Sequence, residues 1–304
     1  MEKMMTQVEK NLREQRTLWS RVAEHAVKVS SRELPLEAPK RIILFGLGSS
    51  FFAAKLTSYA LLRDRNRLRI PVMAVSSLGV GSELIPTKGD WAFGLSHRGT
   101  SLPTAEALNV CDRAGAFTAW VCGVGAQVPE SSRMVLPTVE IEQVEPHTSA
   151  VTGAICAITS LVSGARAAEE WNALSSIGDP ELDSVRARVG QGPALILGEW
   201  EGEWMARESA LKLMEMARLP VRAFGSEEFF HGPRFSRRAN DSIWHVAVAG
   251  DSRSDSIDAA CRIEASQATP LSWVPALVQL QWMALAVALN LGVDPDHPER
   301  DEKI

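Results

Sequence analysis

The sequence predicts an α/β protein made of two related, doubly wound parallel-sheet units with flanking N- and C-terminal helices. Three observations carry this expectation. From about residue 40 onward, short apolar runs ending in Gly or Ser alternate with segments of helical periodicity, the pattern of a parallel sheet covered on both faces. Near residue 190 the scheme restarts, because "GPALILGEWEGEW" repeats the strand and polar turn of "KRIILFGLGSS". Last, "PALVQLQWMALAVALNLG" (275–292) is apolar but contains Gln279, Gln281 and Asn290, which fits a buried helix better than a membrane span. The expected divisions are 1–39 for a helix and connector, 40–175 and 176–292 for the two units, and 293–304 for a tail.

Taken in order, residues 4–30 carry Val8, Leu12, Leu18 and Val22 at helical spacing, and a polar, proline-bearing connector follows. "RIILFGLGSS" then gives a buried strand and a turn, and "FFAAKLTSYALLRDRNRL" a helix. Strands are expected at 71–77, 90–99, 117–124 and 133–139, a helix at 102–115 and one long helix over 147–171. In the second half, a strand and turn lead to a helix through Arg218, then a strand at 243–250 and a helix over "DSIDAACRIEASQ". The stretch "ALKLMEMARLPVRAFGSEEFFHGP" (210–233) starts as a helix, breaks at Pro220, and sets His231 in a loop punctuated by Gly and Pro.

Composition narrows the function classes. With 304 residues, 45% hydrophobic and 23% charged, the chain is an ordinary globular protein. Its formal net charge of −5 argues against nucleic acid as a partner. Cys111, Cys122, Cys156 and Cys261 lie in apolar surroundings without CxxC spacing, as expected of cytosolic thiols. The N-terminus lacks the apolar core of a signal peptide, so a cytoplasmic protein with no membrane attachment is expected. The six histidines are scattered, and none has a second His or a Cys at i+3 or i+4, so no metal is expected; no cofactor is implied either.

Two turns invite a ligand. "FGLGSS" offers G-x-G after a strand, but the third glycine of a dinucleotide fingerprint falls on Phe51, and the next strand ends without an acid. What remains is Ser49 and Ser50 at a helix N-terminus, either a phosphate cradle or a simple cap. "LSHRGTS" (95–101) adds Ser96, Thr100, Ser101 and the amide of Gly99 after another strand. Arg98 there is either a fork for phosphate or a surface arginine. On the 210–217 helix, Ala210, Leu213, Met214 and Ala217 form an apolar stripe with Lys212 and Glu215 beside it. Those two are either a reactive pair or ordinary solvated charges, with Glu208 and Lys212 as a surface i,i+4 pair.

Residues 210–233 resemble the signature of the sugar isomerase (SIS) domain family, in particular the isomerase half of glucosamine-6-phosphate synthase and stand-alone amino-sugar-phosphate deaminases and isomerases. The spacing from Glu215 to His231, 16 positions, is that family's. "FGLGSSFFA" is similar to its first phosphosugar turn, "LSHRGTS" to its L-S-x-S-G-x-T, and "EPHTSAVTG" (145–153) to its acidic segment before a long helix. "GVDPDHPERDEKI" resembles its C-terminal tail.

The resemblance implies roles residue by residue. Glu215 would carry a proton between carbons 1 and 2 of an open-chain sugar, since a carboxylate can take a proton and return it. His231 would open the sugar ring, reaching the neighbouring subunit's site in a homodimer. Lys212 would stabilise an enediolate, and Lys303 would close the site from the tail. Ser49, Ser50, Ser96, His97, Arg98 and Ser101 would contact phosphate or sugar, with Thr148 and Ser149 from the acidic segment. Arg98 departs from the family's serine, His97 from its glutamine, and Glu199 and Trp200 from a glycine-rich second turn. No glutamine-hydrolysing domain precedes residue 1, so no glutaminase activity is expected. Two functions follow: an isomerase or deaminase acting on a 6-phosphorylated sugar such as glucosamine 6-phosphate, or a phosphosugar-binding sensor, favoured by Arg98 and the altered second turn.

Overall fold

The chain begins with α1 (Gln7–Glu33), whose buried stripe is Val8, Leu12, Trp19, Val22, Ala23 and Ala26. Leu18 lies at the edge of that stripe and the larger Trp19 takes the interior position. The computed structural model describes residues 5–64 and 69–297, which cluster into two compact units. One comprises residues 14–64, 69–142 and 149–177; the other comprises residues 5–13, 143–148 and 178–297.

In the first of these, β1 (Ile42–Gly46) is buried at every residue. A strand without a polar face needs cover on both sides, and a parallel sheet wrapped by helices supplies it. Together with β2 (Val72–Ser76), β3 (Trp91–Leu95), β4 (Phe117–Val124) and β5 (Met134–Glu140) it forms a five-stranded sheet of order β2-β1-β3-β4-β5. Every pairing is parallel. The intervening helices are α2 (Ser49–Arg63), α3 (Leu102–Arg113) and α4 (Ser149–Ser163), and α2 packs on α4. Trp19 anchors α1 here: its Nε1–H donates to Thr152 Oγ1 at 3.1 Å and its ring meets Trp171 edge-on. The helix expected over 147–171 is two helices, α4 and α5 (Ala165–Ser175), because Gly164 adopts φ 69 between them.

The second unit repeats the scheme with fewer strands. After α6 (Leu182–Val189), strands β6 (Leu195–Gly198), β7 (Arg222–Gly225), β8 (Ile243–Val248) and β9 (Cys261–Ala265) pair in parallel in the order β7-β6-β8-β9. The helices are α7 (Glu201–Ala217), the short α8 (Ser226–Phe230) and α9 (Val274–Leu291). Two expectations are corrected. The helix expected at 255–267 is a short 3-10 turn followed by β9, in which Cys261, Ile263 and Ala265 are buried and Arg262 and Glu264 exposed. That is the period of two expected of a strand with one wet face. Residues 221–230, expected as loop, form β7 and α8, so His231 caps a helix rather than standing in an open loop.

α9 is long and apolar enough by length and composition to span a membrane, yet most of it is buried inside its unit against α6 and α7. All four cysteines are free and buried. Burial pushes the Cys111 thiol up to about 12 and Cys122 to about 11.

Candidate functional site

At the carboxyl edge of the five-stranded sheet, β1 and β3 are neighbours, so the turns that follow them lie side by side. The first turn is tight: a Cβ on Gly46 would meet Ser50 Cβ at 2.7 Å, and Gly48 takes φ 53. Gly48, not a serine, is the N-cap of α2, and no side chain caps it. Ser49 and Ser50 are therefore the first residues of the helix proper, half-exposed beside its amides. That removes the plain capping reading of the two hydroxyls.

The second turn, 96–99, is closed by a bond from Gly99 N–H to Ser96 carbonyl at 3.0 Å. Glycine is required at its end, since φ is 75 and a Cβ would come within 2.1 Å of the Gln127 carbonyl. Ser101 Oγ lies 2.8 Å from Thr104 Oγ1, which also lies 3.0 Å from Ser77 Oγ. A hydroxyl chain thus links this turn to the end of β2, through a threonine that sequence reasoning missed.

His97 is held by a bond within its own unit. Its Nε2 accepts the backbone N–H of Glu142 at 2.9 Å, so that nitrogen carries a lone pair and the ring is neutral. Burial holds its pKa below the usual histidine value, aided by Arg98 and opposed by Glu142. Glu142, itself buried, accepts the backbone N–H groups of Ser149 at 3.3 Å and Ala150 at 2.9 Å. A carboxylate on the first amides of α4 satisfies both the orphan donors and the helix dipole. The acid at the helix start is Glu142, which only the fold brings there. Ser149 is buried in this arrangement.

In the other unit, Thr148 is buried and its carbonyl accepts from Gln281 Nε2 at 3.2 Å. α7 holds the expected reactive pair. Lys212 Nζ lies 2.5 Å from Glu215 Oε2 and 3.5 Å from Glu208 Oε1. The side chains of Lys212 and Glu208 are 1% and 0% exposed, whereas Glu215 is 28% exposed. The surface-pair reading of Glu208 and Lys212 therefore fails. In the expected stripe, Met214 is 44% exposed, while Lys212 and Met216 are buried. The signal for Glu208 was the row Met205, Ser209, Lys212, Met216 at helical spacing, which carries the buried arc around to Glu208. A buried ammonium is tolerable only with such charge and hydrogen-bond partners.

The turn after β6 keeps the backbone of the turn after β1. Trp200 has φ 49 and ψ −119 where Gly48 has φ 53 and ψ −131, and a Cβ on Gly198 would strike Gly202 at 2.5 Å. This turn serves its own unit: Glu199 Oε2 accepts the Glu227 N–H at 2.9 Å, and the Trp200 ring lies over Gly250. Beyond it, His231 Nε2 is 2.9 Å from Glu227 Oε1, and its side chain is 73% exposed. Arg253 donates to both oxygens of Glu227, at 2.6 and 2.7 Å. The tail residue Asp296 accepts the N–H groups of Gln7 at 2.6 Å and Val8 at 2.9 Å, capping α1. Lys303 lies outside the described residues. Among the described residues no group of three or more His, Cys, Asp or Glu side chains is set to hold a metal.

No protein-family model matches the chain. It is 24% identical to glutamine–fructose-6-phosphate aminotransferase (isomerizing) of Pyrobaculum aerophilum over 86% of this chain and 51% of that protein. The chain spans about half the length of the curated relatives it matches. Among solved structures, the C-terminal domain of glucosamine-fructose-6-phosphate aminotransferase from Francisella tularensis superposes with a TM-score of 0.78 at 18% identity, covering 97% of this chain and 99% of that one. Glucosamine-6-phosphate deaminase from Thermotoga maritima superposes with a TM-score of 0.71 at 19% identity, covering 96% and 97%.

Proposed function

We propose that this chain, which carries the two-unit sugar isomerase (SIS) fold, is a cytoplasmic enzyme that isomerises or deaminates a 6-phosphorylated amino sugar such as glucosamine 6-phosphate. The observation that supports the reading most is the Lys212–Glu215 pair. An interior lysine held 2.5 Å from a part-exposed carboxylate is an expensive arrangement for structure alone, and it suits enolisation. Glu215 takes the proton from carbon 2 of the open-chain sugar and returns it to carbon 1. The Lys212 ammonium offsets the negative charge that develops on oxygen between those steps.

The remaining roles follow the same chemistry. Ser49, Ser50, Ser96 and Ser101 stand at neighbouring turns on one sheet edge and would contact the phosphate, with Arg98 as an additional cation. His231 opens the ring of a sugar bound to the neighbouring subunit of a homodimer, and Lys303 closes the site from the tail. His97, Thr148 and Ser149 would add contacts to the phosphate or sugar. On glucosamine 6-phosphate the proton shuttle leads to the fructose imine, from which water releases ammonia.

The test is release of ammonia and fructose 6-phosphate from glucosamine 6-phosphate by the wild type and by Glu215→Gln. We expect the wild type to turn over and the variant to lose activity by about a hundredfold or more. Equal rates in the two proteins, or no turnover of this sugar by the wild type, would overturn the reading.

A further inference from the structure

We propose that Glu227 is a positioning residue for His231: pinned by Arg253, its carboxylate fixes the imidazole as the Nε2–H tautomer and leaves Nδ1 as the working base. The inference deepens the proposed function, since it rests on His231 being the ring-opening group, but its geometry is independent of any substrate. Glu227 lies in the first turn of α8 and His231 caps it, four residues on, so one helical turn sets the carboxylate beside the ring. Glu227 Oε1 lies 2.9 Å from Nε2, and Arg253 grips both carboxylate oxygens, Nε on Oε2 and Nη2 on Oε1. Arg253 is itself steadied by Phe230, with its guanidinium carbon 5.1 Å from the ring centroid. Its backbone N–H donates to Asp251 Oδ1 at 2.9 Å.

The electrostatics decide which way the histidine bond runs. The Arg253 guanidinium, with help from His231, holds the Glu227 carboxyl down at about 2. At any working pH Glu227 is thus a carboxylate, which can only accept. Nε2 must then carry the proton, and in the neutral ring Nδ1 carries the lone pair. A ring-opening group has to take the proton of the anomeric hydroxyl and give one to the ring oxygen, so a fixed tautomer and ring orientation serve it directly. Four charged side chains around the segment are already engaged: Arg207 joins Glu203 to Glu228 at 2.8 and 3.2 Å, and Glu199 holds the Glu227 backbone. The Arg253–Glu227–His231 line is separate from them, and among the described residues Nδ1 has no hydrogen-bond partner.

The test pairs nitrogen NMR of the His231 ring with kinetics, in wild type and Glu227→Ala. In neutral His231 we expect a single Nε2–H pattern in the wild type and a mixture of both tautomers in the variant. Glucosamine 6-phosphate turnover should lose about tenfold in kcat with KM unchanged, and an unchanged Tm would show that the variant still folds. A wild-type ring protonated at Nδ1, or the same mixture in both proteins, would overturn the proposal. The NMR reads Glu227 whether or not this sugar is the substrate, so a failure of the proposed function shows only in wild-type turnover.

Discussion

Lys212 is a full charge in the interior of its unit, and it is stable there because α7 sets Glu208 one turn before it and Glu215 just under a turn after it. The two acids differ in exposure: Glu208 is wholly buried and Glu215 is 28% exposed. That asymmetry separates a structural partner from one that can meet a ligand. Lys212→Met takes the ammonium away from a buried carboxylate, so we expect it to cost roughly 3–5 kcal/mol in urea unfolding. The double variant Lys212→Met with Glu208→Gln should regain most of that loss, because no buried charge is then stranded. A single variant as stable as the wild type would mean that Glu208 draws its compensation from elsewhere. Trp200 shows the opposite economy: a bulky residue at φ 49 keeps a backbone that Gly48 adopts without strain.

At the scale of elements, the joint between α1 and the tail is a helix cap made by a residue 288 or more positions away. Asp296→Ala should lower stability by about 1 kcal/mol, the usual worth of an N-cap carboxylate, read as a shift in Tm. No shift would show that water replaces the carboxylate at no cost. The central strands and most helices could be read from sequence because parallel strands buried on both faces leave continuous apolar runs such as "IILFG". The strands missed, β7 and β9, are the two edges of the four-stranded sheet. An edge is covered incompletely, so β9 alternates Cys261, Ile263 and Ala265 with exposed Arg262 and Glu264, and β7 is only four residues long behind Pro220. The Lys212–Glu215 pair was legible because helical spacing fixes it locally. Glu142 was not, since its partners, His97 and the α4 amides, are assembled only by the sheet.

At the scale of the whole molecule, the proposed homodimer gives His231 its task in the neighbouring subunit, and mixing two inactive variants tests this. Refolded together, Glu215→Gln and His231→Ala chains should regain about one quarter of wild-type activity, because half the dimers are mixed and each has one intact site. No recovery would place Glu215 and His231 in the same chain's site. The four thiols bear on how such experiments can be followed. Each is buried and none is paired, and burial keeps them as unreactive thiols at neutral pH. The native protein therefore offers a chemically silent background. A cysteine introduced at one exposed position would be the only point of attachment for a fluorophore or spin label, so distances between protomers could be measured without first stripping the molecule of its own sulfur.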